Sequence, residues 1–330
     1  MQCPAGCLCR QGLASFINKK TEVMKKVLVA TEKPFAPAAV EGLKKVLDKA
    51  GYELNLLEKY SSPDELKKAA AQAEAMIIRS DKATREVIEA APNLKIIVRA
   101  GAGYDNIDLD ACNDKGVVAM NTPGQNSNAV AELAFGMMVY LIRNGFNGTS
   151  GTELRGKNIG IHAYGNVGKF VAEIAKGFGM DVYAFDPFVK KEDIEKDGVK
   201  ALDSVEELYK TCKFISLHIP SNEKTKKSIN YELLNLMPKG GVLVNTARKE
   251  VIDEDGLLKL MEAREDFCYV SDVAPDCRET IESKFEGRYV FTAKKMGAQT
   301  SEANINAGIA AANQIVDFFK KGDKTFQVNK

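Results

Sequence analysis

KNIGIHAYGNVGKFVAEIAKGFGMDVYAFDP, residues 157–187, is the stretch on which the fold turns. Residues 158–163 read as a strand, and Gly165 and Gly168 fall in the turn that follows. Residues 169–178 then carry Phe170, Val171, Ile174, Ala175 and Phe178 at helical spacing. A second strand, 181–185, ends on Asp186. Strand, glycine turn, helix and strand in that order make a dinucleotide-binding unit. The turn sets free backbone N–H groups and a helix N-terminus where a pyrophosphate can sit, and Gly165 lets the main chain approach it closely. Asp186 is placed to accept hydrogen bonds from the adenosine ribose hydroxyls, which repels a 2′-phosphate and selects NAD over NADP. One position departs from the usual G-x-G-x-x-G: its first glycine is Ala163. If the backbone there needs a positive φ, the methyl costs about 1 kcal/mol or more, and otherwise it is tolerated.

Working outward, 330 residues are enough for about two domains with a core each. Lys and Arg number 46 against 45 Asp and Glu, so net charge gives no pull toward nucleic acid or an anionic membrane. No apolar run approaches the roughly 18 residues of a spanning helix. The composition is that of a soluble α/β protein. Of seven cysteines, Cys112, Cys212, Cys268 and Cys277 are scattered through expected elements, while Cys3, Cys7 and Cys9 crowd the N-terminus. An odd count without a signal peptide points to reduced thiols and a cytoplasmic protein. The segment CPAGCLC has no partner pair or nearby histidine to complete a metal site, so residues 1–23 read as a flexible extension. That extension is basic with no acid before Glu22, which leaves a cleavable organellar presequence open.

From residue 24 onward strands and helices alternate. Strands are expected at 27–30, 52–57, 76–79, 94–98 and 117–120, with helices at 38–50, 64–73 and 84–90. A long helix, 128–143, follows the loop NTPGQNS, and strands at 214–217, 242–245 and 269–271 extend the nucleotide unit. Alternation of this kind gives parallel sheets covered on both faces. The last helix, 302–321, carries Ile305, Ile309, Ile315, Val316 and Phe319 on one side and has no place in the nucleotide sheet. It is expected to return to the first domain. The expected fold is therefore α/β with two doubly wound parallel-sheet domains: a flavodoxin-like substrate domain, residues 24–121 and 301–330, and a Rossmann-like NAD domain, residues 122–300. The site should lie in the cleft between them.

RAGAGYDNID (99–108), NTPGQN (121–126), VAELAFGMM (130–138), the glycine turn with Asp186, LHIP (217–220), NTAR (245–248) and SDV (271–273) form an ordered set. The set resembles the D-2-hydroxyacid dehydrogenases over almost all of residues 24–330, and such a set is far more specific than any single motif. IIRSDK (77–82) and the closing stretch 305–330 bring the likeness nearer to the branch that oxidises D-3-phosphoglycerate, in its short form without a regulatory domain. A chain ending about nine residues after its last helix leaves no room for such a domain, so no separate serine-binding site is expected.

The resemblance assigns roles. Arg248, at a strand's C-terminal end, is the cation for the substrate carboxylate, aided by the backbone amides of Ala102 and Gly103. Its bland alternative is a surface ion pair. Gly165, Asn166, Val167, Gly168, Asp186, Thr246, Ala247, Arg248 and Asp272 fall where the family contacts NAD. Arg79 and Ser80 match the phosphate side, with Lys82 as a second charge. Most relatives carry a histidine just before a glycine-alanine pair, oriented by a glutamate. Here the stretch is TAKKMGAQT, so Lys295 takes the histidine slot, and the glutamate position is Cys277. A lysine has no tautomer to fix and is better off without that carboxylate. Arg248 and an oxidised nicotinamide would push its pKa down. His218 is the rival base, His162 a strand-end residue, and Asp276 or Glu279 a displaced acidic partner. The resemblance implies oxidation of a phosphorylated 2-hydroxy acid. The alternatives are a glyoxylate or hydroxypyruvate reductase on the same scaffold and a non-catalytic NAD sensor. It also implies a homodimer with residues 128–143 at the contact.

Overall fold

The computed structural model describes residues 24–330. Residues 1–23, with Cys3, Cys7, Cys9 and the presequence and metal readings attached to them, lie outside the described residues.

Two parallel sheets organise the chain. The first contains β1 (Lys26–Thr31), β2 (Glu53–Glu58), β3 (Ala75–Ile78), β4 (Ile96–Arg99) and β5 (Val118–Asn121), in the order β2-β1-β3-β4-β5. The second contains β6 (Asn158–His162), β7 (Asp181–Phe185), β8 (Lys200–Ala201), β9 (Phe214–Leu217), β10 (Val242–Asn245), β11 (Cys268–Ser271) and β12 (Tyr289–Phe291), in the order β12-β11-β10-β9-β6-β7-β8. The first order, 2-1-3-4-5, is flavodoxin-like, and the second places its third, second and first strands beside its fourth to seventh, as in a Rossmann sheet. Each has a switch point where the chain reverses its direction of growth, and ligands bind beyond the strands' C-terminal ends at such points. The inner strands β3, β9 and β10, and the edge strand β5, are buried along their whole length, the pattern of a sheet covered on both faces.

The helices are α1 (Pro37–Ala50), α2 (Pro63–Ala70), α3 (Arg85–Glu89), α4 (Leu109–Lys115), α5 (Ser127–Ile142), α6 (Asn166–Gly177), α7 (Lys191–Lys196), α8 (Val205–Thr211), α9 (Tyr231–Leu234), α10 (Glu254–Ala263), α11 (Arg278–Lys284) and α12 (Ser301–Lys321). The sequence pattern missed α4, α7, β8, α8, α11 and β12. Helix α4 is made by its ends: Asp108 Oδ1 accepts from Ala111 N at 2.8 Å, and Gly116 closes it in the left-handed region.

Helix α12 packs on α1 and reaches β3 and β4, so the end of the chain sits on the first sheet. Its fully buried face is not the expected isoleucine stripe. It is Ala303, Ala307, Gly308, Ala311 and Ala312 with Ile315, and the larger Ile305, Val316 and Phe319 are only partly buried. Small residues permit a close crossing: a Cβ on Gly42 of α1 would lie 2.8 Å from Ile309 Cδ1. Thr300 caps the helix through Ala303 N at 3.1 Å, and residues 322–330 return to the edge of β5. There Val328 N donates to Ala119 O at 2.9 Å, and the buried Asn329 accepts from Ala119 N at 2.7 Å and donates to Val117 O at 2.9 Å. The strap covers an otherwise open strand edge. Among the described residues no helix is long and apolar enough to cross a membrane. Cys112, Cys212, Cys268 and Cys277 are free thiols, the first two buried, with pKa values pushed up to about 12 by burial.

Candidate active site

At the glycine turn, Ala163 has φ 82°, so the conformation there is one a glycine adopts without strain. Gly165 is the N-cap of α6 and has an extended backbone, and no side chain caps that helix, so its first amides remain available. A Cβ on Gly165 would meet nothing within 4 Å, leaving room for a group close to the main chain. Gly168 serves a different purpose. A Cβ there would lie 2.5 Å from Ala163 O and 3.0 Å from Ile161 Cγ2, so glycine sets the distance between helix and strand. Asn166 and Val167 form the helix's first residues. Asp186 is anchored on both oxygens: Oδ2 accepts from Tyr164 N and Oδ1 from Phe188 N, each at 2.8 Å. Each oxygen keeps a further lone pair for a hydroxyl donor. Thr246, beyond β10, is buried, and its Oγ1 has no partner in the protein. The next residue, Ala247, donates its N–H to Asn245 Oδ1 at 3.0 Å. Open amides, an unfilled approach at Gly165, an anchored carboxylate and an unpaired buried hydroxyl fit a dinucleotide.

Four cations converge beyond the strand ends of both sheets. Arg79 follows β3. Its guanidinium lies over the Phe35 ring at 5.1 Å and donates to Asn304 Oδ1 of α12 at 2.6 Å. Burial lowers its pKa, with Asp81 opposing. Arg99 closes β4 and donates from Nε to Arg79 O at 3.0 Å. Burial lowers its pKa as well, the charges of Arg79 and Arg248 add to this, and Asp105 opposes them. Gly101, at φ 153°, holds a backbone conformation L side chains rarely adopt, and a Cβ on it would also displace the Arg99 guanidinium. Arg248 is exposed and bonds only to its own chain, through Nη1 to Ala247 O at 2.8 Å. None of Arg79, Arg99, Arg248 and Lys295 forms an ion pair with a carboxylate among the described residues. The amides of Ala102 and Gly103, just beyond Gly101, donate to no acceptor among the described residues, while Asn121 Nδ2 holds Ala102 O at 2.6 Å. Unpaired guanidiniums beside free amides are what an anion site needs. Asp81 is not part of it. It is buried, accepts from Glu32 N and Tyr60 OH at 2.7 Å each, and fixes the turn after β3. Ser80 and Lys82 are exposed, and Lys82 is not among the charges acting on Arg79, Arg99 or Lys295.

Lys295 follows β12. It keeps accessible surface, yet the protein around it desolvates the amine enough to lower its pKa from the ordinary lysine value, and Arg248 lowers it further. The carboxylates that pull the other way are Asp272, Glu250 and Asp105. Asp276 instead pairs with Lys249 at 2.6 Å, Glu279 is exposed on α11, and neither is among the charges acting on Lys295. Cys277 is half-buried, with its thiol pushed up to about 12 by burial and Glu254. Asp272 is 1% exposed. Its Oδ1 accepts from Thr292 Oγ1 at 2.9 Å and Met296 N at 2.8 Å, and its Oδ2 from Gly297 N at 2.8 Å.

The profile of the D-isomer specific 2-hydroxyacid dehydrogenase NAD-binding domain matches residues 116–286. The chain belongs to this dehydrogenase family. It is 35% identical over 280 residues to a hydroxypyruvate reductase of Thermotoga maritima, covering 80% of this chain and 90% of that one. It is 36% identical over 266 residues to a D-3-phosphoglycerate dehydrogenase of Methanocaldococcus jannaschii, covering 76% of this chain and 51% of that one. It thus spans about half the length of the curated phosphoglycerate dehydrogenases it matches. Among solved structures, the NAD-bound 3-phosphoglycerate dehydrogenase of Entamoeba histolytica superposes with a TM-score of 0.80 at 49% identity, over 93% of this chain and 99% of that one.

Both histidines are withdrawn to the strand ends of the second sheet. His218 is bonded to Ser216 Oγ at 2.9 Å, and burial, with His162 beside it, pushes its pKa down to about 3. His162 faces Tyr209 OH at 3.3 Å and is lowered to about 4 by burial. Sequence reasoning missed Arg99, Asp105, Glu250 and Asn304. Arg99 was within reach of the argument that selected Arg79, a cation at a strand's C-terminal end. Asn304, 225 positions from Arg79, carries no local signal.

Proposed function

We propose that the chain oxidises D-3-phosphoglycerate to 3-phosphohydroxypyruvate with NAD, the first step of serine synthesis. The observation that carries this reading is the gathering of Arg79, Arg99, Arg248 and Lys295 with no carboxylate paired to any of them. A simple 2-hydroxy acid needs one cation for its carboxylate, and the further guanidiniums suit a phosphate. In this reading Arg248, with the amides of Ala102 and Gly103, holds the carboxylate and the adjacent oxygen, and Arg79 and Arg99 hold the phosphate. Asp186, Thr246 and the amides of Gly165, Asn166, Val167 and Gly168 hold the cofactor. When bound, NAD accepts the hydride. The free amine of Lys295 takes the proton of the 2-hydroxyl while the C2–H bond breaks with its electron pair, so the products are the 2-oxo acid, NADH and an ammonium on Lys295. The lowered pKa supports Lys295 in this role, since a base must be free of its proton to act. His218 titrates too low to be a strong base at neutral pH.

Residues 24–121 with 301–330 act as the substrate domain and residues 122–300 as the NAD domain of a homodimer. The exposed Tyr140 and Phe146, packed edge to face at 5.3 Å by α5, support a contact there. The resemblance to a hydroxypyruvate reductase over 90% of its length supports a second reading, reduction of an unphosphorylated 2-oxo acid. Turnover of 3-phosphoglycerate and of glycerate, each with NAD, separates the two. The proposal expects kcat/KM at least a hundredfold higher for the phosphorylated acid. Equal values, or faster reduction of hydroxypyruvate with NADH than of its phosphate, would favour the reductase, and no turnover of any of these would leave a binding protein.

A further inference from the structure

The segment that carries Lys295 belongs to no helix or strand between the end of β12 and the start of α12. A base on such a segment needs something to fix it, because a misplacement of about 1 Å costs on the order of a hundredfold in rate. Among the described residues no backbone N–H of 293–298 donates to a backbone carbonyl, and the one turn bond of the segment is accepted by Met296 O from Gln299 N at 2.8 Å. The two peptides directly after Lys295 are held from below. Met296 N and Gly297 N each donate at 2.8 Å to one of the two oxygens of Asp272, which is itself rooted at the end of β11 by Asp272 N donating to Asn245 O at 3.1 Å. Thr292 Oγ1, at 2.9 Å from Oδ1, fixes the rotation of the carboxylate. Gly297 has no room for a side chain: a Cβ there would lie 3.0 Å from Asp272 Oδ2 and 3.1 Å from Val130 Cγ2. At 1% exposure, with three donors on two oxygens, Asp272 faces the chain and not the cleft.

We infer that Asp272 and Thr292 are positioning residues, a buckle that sets the Lys295 amine over the substrate through the backbone of Met296 and Gly297. This rests on Lys295 as the base. It gives Asp272 a task other than the cofactor contact expected from the family resemblance. It also accounts for a lysine working without the histidine's oriented glutamate. The imidazole of a histidine is aimed by a side-chain partner, whereas here the peptide that carries the amine is aimed. The charges facing Lys295 are Arg248 on one side and Asp272, Glu250 and Asp105 on the other, so the carboxylate of the buckle opposes part of the lowering that burial and Arg248 impose on the amine's pKa.

Thr292→Val removes the hydroxyl while keeping shape and leaves every charge in place. In the full chain it should lower kcat ten- to a hundredfold, leave the NAD dissociation constant, read from quenching or calorimetry, within twofold, and leave the pH at half-maximal rate unchanged. Thr292→Ser should restore kcat to within threefold. Asp272→Asn should lower kcat further and move the basic limb of the pH–rate profile to lower pH, since one negative charge near Lys295 is gone. In a Lys295→Met background neither substitution should lower the residual rate more than twofold, because the amine they position is absent. If Lys295→Met keeps the basic limb, the base assignment is wrong. If Lys295→Met abolishes it but Thr292→Val leaves kcat intact, or lowers the Lys295→Met rate as much as the parent rate, the base stands and the buckle is overturned. Loss of NAD affinity in both Asp272→Asn and Thr292→Val with kcat at saturation preserved would return Asp272 to a cofactor role.

Discussion

Replacing Ala163 with glycine should stabilise the protein. An L-residue held in the left-handed region costs about 1–2 kcal/mol, and Ala163 is held there at φ 82° by the turn between β6 and α6. Glycine relieves that cost but brings a more flexible unfolded chain, worth about 0.4–1 kcal/mol against it. The methyl is half-buried against the core on one face of the second sheet, so its removal forfeits part of the roughly 0.8 kcal/mol of a buried carbon. The balance is about 0.5 kcal/mol in favour of glycine. The matched substitution Ala163→Val adds a branch at the same φ and should destabilise by about 1 kcal/mol or more. Urea unfolding reads both as shifts of the midpoint at constant slope, which separates stability from changes in the denatured state. The order expected is glycine, alanine, valine, with NAD affinity within twofold for glycine, because the amides of Gly165, Asn166 and Val167 are untouched. A glycine variant less stable than the parent, or a valine variant equal to it, would show that the turn does not strain residue 163.

Lys295→Met should cut kcat by about a hundredfold to ten-thousandfold with NAD affinity unchanged. For oxidation the parent's rate should rise with pH along a basic limb below the ordinary lysine range, because the free amine is the active form and its pKa is lowered. A limb near pH 3, lost in His218→Asn, would instead assign the proton to His218. Arg99→Ala should raise KM for 3-phosphoglycerate at least tenfold, since a hydrogen bond to a charged group is worth about 1.5–3 kcal/mol, and change the NAD dissociation constant little. An equal loss with glycerate would detach Arg99 from the phosphate. The parent should prefer NAD to NADP strongly, and Asp186→Ala should narrow the ratio by removing a like charge from the 2′-phosphate. Equal kcat/KM for both cofactors in the parent would refute that.

The two sheets were legible because their inner strands are largely apolar runs, such as AMII in β3 and VLVN in β10, bounded by turn residues. What escaped was structure decided by contact at long range. Strand β12 is short and only partly buried, and it exists because β11 pairs with it from Tyr289 to Phe291. The buried face of α12 was mistaken because large apolar residues were weighed above alanines, although it is the alanines and Gly308 that let α1 come close. At the site, the residues named from motifs lie on loops at strand ends, as expected of grafted chemistry. Apart from Arg99, those overlooked act through another residue: Asn304 bonds to Arg79, and Glu250 and Asp105 act on Lys295 by charge alone. Such roles depend on where folding brings distant segments, which no local spacing encodes.

On the proposed reading of Lys295 as base and a phosphorylated substrate, charge matching accounts for a lysine in this cleft. A phosphate carries about 1.5–2 negative charges at neutral pH, so a phosphorylated 2-hydroxy acid brings close to three with its carboxylate. Arg79, Arg99 and Arg248 are three guanidiniums that stay protonated even where burial lowers the pKa of the first two, since an arginine starts above 12. The substrate's charge is therefore met without Lys295, which is free to be the neutral member of the group. Were one guanidinium absent, the anion would draw a proton onto the lysine and hold it there, disabling the base. The same three cations, left unpaired by any carboxylate, repel the ammonium that forms when the hydroxyl proton is taken, and Asp272, Glu250 and Asp105 moderate that repulsion. On that reading the lowered pKa of Lys295 and the surplus of arginines are one arrangement: guanidiniums that bind the anion with charge to match would keep the amine available for the proton.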